Sequence, residues 1–182
     1  MSKNRVHTIS DDALFPLSNL VNLDLTNNQL TQFISVPDSK ALDQILLAFN
    51  RIDTLANLER APNLTVLDVH SNKLLTFPDE VTYLSKLKTL KISNNDLSDL
   101  NPRIGLLTNL VRINIEGNPL KCIKSSLRTA GAEPLKKYLK LRLSEDEIAK
   151  NEIKENADLK LPNSTASYDA WDTFLREFVT NG

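Results

Sequence analysis

The amino-acid sequence predicts an α/β solenoid: a curved right-handed array of short turns with a parallel sheet on the concave face and an irregular, 3-10 or helical convex side. Three observations point there. An eleven-residue pattern, leucine-x-x-leucine-x-leucine-x-x-asparagine-x-leucine, recurs as LVNLDLTNNQL at 20–30, LDQILLAFNRI at 42–52, LTVLDVHSNKL at 64–74, LKTLKISNNDL at 87–97 and LVRINIEGNPL at 110–120. Its asparagines, Asn28, Asn50, Asn72, Asn95 and Asn118, follow one another at 22 or 23 residues. After the array, Leu135, Tyr138, Leu139 and Leu143 fall at helical spacing and supply a cap.

The pattern has a physical reason, since no unit can bury its own apolar side. In the first unit Leu20, Leu23 and Leu25 turn inward while the residues between them face out, and each unit stacks its buried face on the next. Phe33, Leu55, Phe77, Leu100 and Ile123 return the chain along the convex side. An asparagine at the turn has both a carbonyl and an amide to offer the inward-bending backbone, and leaving such groups unpaired costs about 1–3 kcal/mol each. The five asparagines are therefore expected to form a structural ladder. This period with this residue order is the leucine-rich-repeat signature.

Four regions follow along the chain. Residues 1–120 hold one half repeat and five full units, the half repeat being NRVHTISDDALFPLSNL with Val6, Ile9 and Leu14 in apolar positions. No strand or cap precedes it, so the chain is expected to be a piece of a longer array whose exposed end offers a route to self-association. Residues 121–143 form the C-terminal cap, with Gly131 as a break, Pro134 in the first helical turn, and a helix lying across the last repeat. Its Lys121, Lys124, Arg128, Lys136, Lys137, Lys140 and Arg142 read as a solvated basic face. Residues 144–167 are an acidic linker that opens with a helix-start signature, SEDE. Residues 168–182 place Tyr168, Trp171, Leu175 and Phe178 on one side of an amphipathic helix that must dock.

Composition narrows the function classes. A net charge of −1 over 182 residues offers no polyanion-seeking surface, and basic residues without interleaved aromatics give no nucleic-acid signal. No apolar run reaches the roughly 18 residues of a membrane span, and MSKNRVHTISDD has no signal core. With one cysteine, Cys122, an internal disulfide is impossible. These features point to a cytoplasmic, monomeric protein. His7 and His70 lie far apart in the array, Cys122 has no partner at ligand spacing, and four glycines build no phosphate loop. No catalytic residue, metal ligand or cofactor is expected, and the Asp68–His70 pair reads as part of a binding wall rather than an acid–base couple.

The remaining candidate is the concave wall itself. Asp24, Leu46, Ala48, Phe49, Val66, Asp68, His70, Lys91, Arg112 and Glu116 face outward on the repeat frame. Leu46, Ala48, Phe49 and Val66 make an apolar island that the strand pattern does not require, inside a charged rim, which is how protein interfaces are commonly built. The partner expected there is a helix or extended segment of another protein. Asn94, on the same wall, is expected to tolerate alanine.

The units of 23 residues containing KLLTFPDEVTYLSKL, and the closing GNPLKCIKSSLRTAGAEPLKKYLKLRL, resemble the intracellular Ras-suppressor-type leucine-rich-repeat proteins. The likeness covers roughly residues 4–143 and is more specific in the cap than in the repeats. It implies a protein-interaction role and carries over no active-site residue. The 22-residue units of the first half also resemble the phosphatase-regulating type, although its tyrosine-containing cap is not matched. A regulatory subunit in a protein phosphatase or small GTPase pathway is thus the alternative function.

Overall fold

The fold comes from a computed structural model, which describes residues 4–150 apart from 11, 12, 15, 18 and 34–39. Each repeat contributes one three-residue strand: β1 (Asn22–Asp24), β2 (Gln44–Leu46), β3 (Val66–Asp68), β4 (Thr89–Lys91) and β5 (Arg112–Asn114). The strands form one parallel sheet in chain order, with Leu23, Ile45, Leu67, Leu90 and Ile113 in register across it. Alternation along each strand turns that central residue inward and its two neighbours onto the concave face. Behind the sheet, Leu25, Leu47, Val69, Ile92 and Ile115 make a continuous row that solvent hardly reaches. Leu55, Phe77, Leu100 and Ile123 bury the convex side, and Phe33 packs against it partly exposed.

The asparagines are hydrogen-bonded as a ladder. Asn72 is representative: its Nδ2 donates to Val69 O in its own turn at 3.0 Å and to Leu47 O in the turn before at 2.9 Å, while its Oδ1 accepts from Ile52 N at 3.0 Å. Asn50, Asn95 and Asn118 repeat the arrangement one unit away, and Asn28 accepts from Val6 N at 3.1 Å. One side chain thus fixes its own turn and clamps the neighbouring one.

Just before each ladder asparagine the backbone enters the left-handed region. Asn27, Phe49, Ser71, Asn94 and Gly117 have φ of 55°, 56°, 54°, 53° and 71°. Here the chain leaves the sheet and bends inward, while the N–H of Asn27, Phe49, Ser71 or Asn94 still donates to the next turn, as Phe49 N does to His70 O at 3.0 Å. The expectation that Asn94 tolerates alanine is therefore corrected: asparagine is suited to this conformation and alanine is not.

The convex side carries 3-10 turns at Leu58–Arg60, Asp79–Tyr83 and Pro102–Leu106. Two helices follow the last strand, α1 (Ser125–Arg128) and α2 (Ala132–Lys140). α2 packs against Pro102–Leu106 and also reaches the last repeat, where Tyr138 Oη donates to Cys122 O at 2.6 Å and Leu110, Ile115 and Leu120 are buried, while Ile113 stays partly exposed. Gly105 decides the place, because a Cβ there would stand 2.7 Å from Lys140 N and 2.8 Å from Lys136 O. Leu135 and Leu139 are fully buried in the contact.

The basic cap is only in part a solvated face. Lys136 is buried, and its Nζ donates to Leu110 O at 3.0 Å and pairs with Glu133 at 2.6 Å. Arg128 donates to the carbonyls of Ile123 and Leu120. Arg142 grips Asp99 through both guanidinium nitrogens, 2.9 and 2.5 Å, and sits over the Tyr138 ring. These cations close open backbone and carboxylate groups at the end of the array. A helix then runs over 145–150 at the start of the expected acidic linker. It opens with a capping box in which Ser144 Oγ accepts from Glu147 N at 3.3 Å and Glu147 Oε2 accepts from Ser144 N at 3.1 Å. The expected docking helix with Tyr168, Trp171, Leu175 and Phe178 lies outside the described residues.

Candidate interaction surface

The concave wall is the outer face of the five-stranded sheet together with the turn residues that follow each strand. Asp24, Arg112 and Glu116 are exposed on it, whereas Leu46, Val66, His70 and Lys91 are half-buried. Phe49 is 50% exposed, although its ring is among the largest apolar groups on the wall. Two of the expected wall residues are corrected. Ala48 is only 2% exposed, because its single methyl group does not reach past its neighbours, and Asp68 is 6% exposed, enclosed by His70 and Lys91.

Asp68 organises the centre. Its Oδ1 lies 2.6 Å from His70 Nδ1 and its Oδ2 lies 3.0 Å from Lys91 Nζ. An ionised carboxylate can only accept, so His70 carries its proton on Nδ1 and turns Nε2 away from the aspartate. The His70 ring meets the Phe49 ring edge to face, with centroids 4.7 Å apart at 78°. Lys91, Asp68, His70 and Phe49 thus form one connected run across β4, β3 and the turn after β2. The Asp68–His70 contact suits holding a ring in place.

The rim is set in the same way. Asp24 Oδ1 accepts from Thr26 N at 2.9 Å, and this backbone hydrogen bond holds its carboxyl below the usual carboxylate range. Arg112 Nε donates to Thr89 Oγ1 at 3.3 Å, which tethers the side chain beside β4. Sequence reasoning placed these residues on one face through the repeat frame alone. It missed the tie from Lys91 to Asp68, for which a 23-residue separation leaves no local signal, and the left-handed backbone at Phe49. Comparing position 49 with Asn27, Asn94 and Gly117 would have revealed the latter. The other exposed large apolar side chains among the described residues are Leu17, Val21, Leu75, Tyr83, Val111 and Leu141. Among the described residues, no group of three or more His, Cys, Asp or Glu is placed to hold a metal ion.

Comparison with known proteins agrees with the repeat fold. Two family models match, both described as leucine-rich repeat, one over residues 62–120 and one over 19–39. Osteomodulin of Rattus norvegicus is 33% identical over 137 residues, which are 72% of this chain and 31% of osteomodulin. Keratocan of Mus musculus is 32% identical over 133 residues, covering 68% of this chain and 36% of keratocan. The chain therefore spans about a third of the length of these curated relatives. Adenylate cyclase of Schizosaccharomyces pombe matches at 37% identity over 81 residues, only 5% of that protein. Among solved structures, an LRR protein of Leptospira interrogans superposes with a TM-score of 0.55 at 26% identity, covering 79% of this chain and 41% of that one. An internalin from Listeria monocytogenes gives the same TM-score at 23% identity over 66% of this chain and 35% of its own, which speaks to the fold alone.

Proposed function

Because the chain belongs to the leucine-rich-repeat family, we propose that it is a non-enzymatic interaction module that takes a helix or extended segment of another protein on its concave face. The half-exposed cluster of Leu46, Phe49 and Val66 carries this reading, since it lies on an otherwise polar wall with charged residues at both sides. A rigid array of short turns gives such a wall little room to change shape, which lowers the ordering cost on binding. Affinity capture with the wild-type chain and with the Leu46→Asp, Phe49→Asp double variant tests it. The partner should be retained by the first and lost from the second, while both melt alike. Retention by both would move the interaction off the wall.

Within the family we place the chain with the Ras-suppressor type, on the strength of the segment from Gly117 to Leu143. That placement supports a cytoplasmic, monomeric module, with no nucleic-acid or membrane partner and no cofactor. Among the described residues no helix is long and apolar enough to cross a membrane. The alternative reading, a regulatory subunit in a phosphatase or small GTPase pathway, uses the same wall and is separated by the identity of the captured protein.

A further inference from the structure

Five equivalent positions enter the left-handed region, and four of them carry Asn, Ser, Asn and Gly. Phe49 is the exception. A β-carbon bearing a bulky ring is disfavoured at φ 56°, whereas Asn and Gly adopt this region readily. The cost is not returned by folding, because half of the ring stays in water. Backbone strain of this kind is characteristic of functional positions. The ring is also held ready: His70 meets it at 4.7 Å, Asp68 fixes His70, and Lys91 fixes Asp68. An exposed aromatic side chain already locked in place loses little freedom on binding, and such residues dominate interfaces near their centres.

The charge beside the Leu46 end of the apolar cluster is one-sided. Asp68 is compensated by Lys91 at 3.0 Å. Asp24, in register with Leu46 on the adjacent strand, lies about 5 Å from Leu46 across the sheet, and its one described side-chain contact on the wall is with Thr26. Arg112 and Glu116 belong to β5 and its turn, three strands from β2, or roughly 14 Å. Arg51 and Lys73 follow the ladder asparagines, beyond the turn that takes the chain off the sheet. Asp24 is therefore the exposed carboxylate beside the Leu46 end of the apolar cluster.

We propose that the occupant of the wall is a peptide segment carrying one bulky apolar side chain beside a basic one, the apolar group seated against Phe49 and His70 and the cation placed over β1 at Asp24. This rests on the concave-face reading above and specifies its chemistry. A random peptide library displayed on phage and selected on the whole chain tests both. Enriched peptides should carry Phe, Trp, Leu or Met within a residue or two of Lys or Arg. Phe49→Asn, which places a residue suited to the backbone there, should melt no lower than wild type yet bind the enriched peptides at least roughly tenfold more weakly. On Asp24→Lys, selection should favour Asp or Glu in place of the base. Peptides released by Phe49→Asn but indifferent to Asp24→Lys would overturn the basic-residue assignment while leaving the wall reading in place. Peptides held equally by wild type, Phe49→Asn and the Leu46→Asp, Phe49→Asp double variant would overturn both. Failure to enrich any peptide, or a lower melting temperature for Phe49→Asn, would contradict Phe49 as a binding anchor.

Discussion

Asn72 makes three hydrogen bonds of 3.0 Å or less from one buried side chain, one within its own turn and two to the turn before. Alanine there leaves inward-facing backbone groups of two turns unpaired, and the expected loss is about 1–3 kcal/mol. Asn94→Ala removes none of the ladder bonds but puts a β-branchless L-residue other than Asn at φ 53°, at a cost of about 1 kcal/mol. Urea melts should rank Asn72→Ala as the more damaging; the opposite order would mean that the ladder does not hold the turns together. Gly117→Ala should also destabilise, since its φ is 71° and a Cβ would run into the Asn94 side chain. The ladder was legible in the sequence because a fixed spacing of one residue type has few other causes. Phe49 was legible as an apolar wall residue but not as a strained one, since phenylalanine gives no local signal for a left-handed turn. Ala48 was misplaced because a position on the outward face does not guarantee reach into solvent.

At the scale of elements, α2 shows what periodicity can and cannot tell. The spacing of Leu135 and Leu139 marked a helix with a buried side, and both residues are fully buried in the structure. Its contact with the last repeat was legible, but its close approach to the turn before was not, because that depends on Gly105 coming within contact distance of the helix backbone. Gly105→Ala should push α2 away and cost about 1–3 kcal/mol, as overpacking commonly does, and a denaturant melt checks it. An unchanged midpoint would show that α2 can shift without loss. The same helix end is sensitive to pH. Hydrogen bonds from Arg142 hold the Asp99 carboxyl below its usual range, so this contact contributes fully above about pH 4 and fades as pH falls through the lower folded value. Both side chains are partly exposed, at 28% and 37%, and the pair is worth about 0.5 kcal/mol after solvent screening. Asp99→Asn should flatten that part of the acid limb in melts taken between about pH 3 and 6.

For the whole array, each turn touches only its neighbours, so damage at one end should weaken that end first. Leu139→Ala opens a cavity under α2 and should cost about 2–5 kcal/mol. Hydrogen exchange should then show β5 and β4 losing protection while β1 and β2 keep theirs, and uniform loss would mean the array unfolds as one unit. The order of the strands and their register followed from the repeat alone, because stacking identical units leaves one way to align them. The repeat does not encode which face meets a partner. That assignment rests on Phe49 and its neighbours, and site-specific photo-crosslinking addresses it most directly. Benzoylphenylalanine would be introduced singly at Phe49 on the concave wall, at Leu75, and at Tyr83 on the convex side, all exposed positions. In the presence of the captured partner, irradiation should join the partner to the chain from position 49 and not from 75 or 83. Crosslinks from 75 or 83 with none from 49 would contradict the concave wall as the interaction surface.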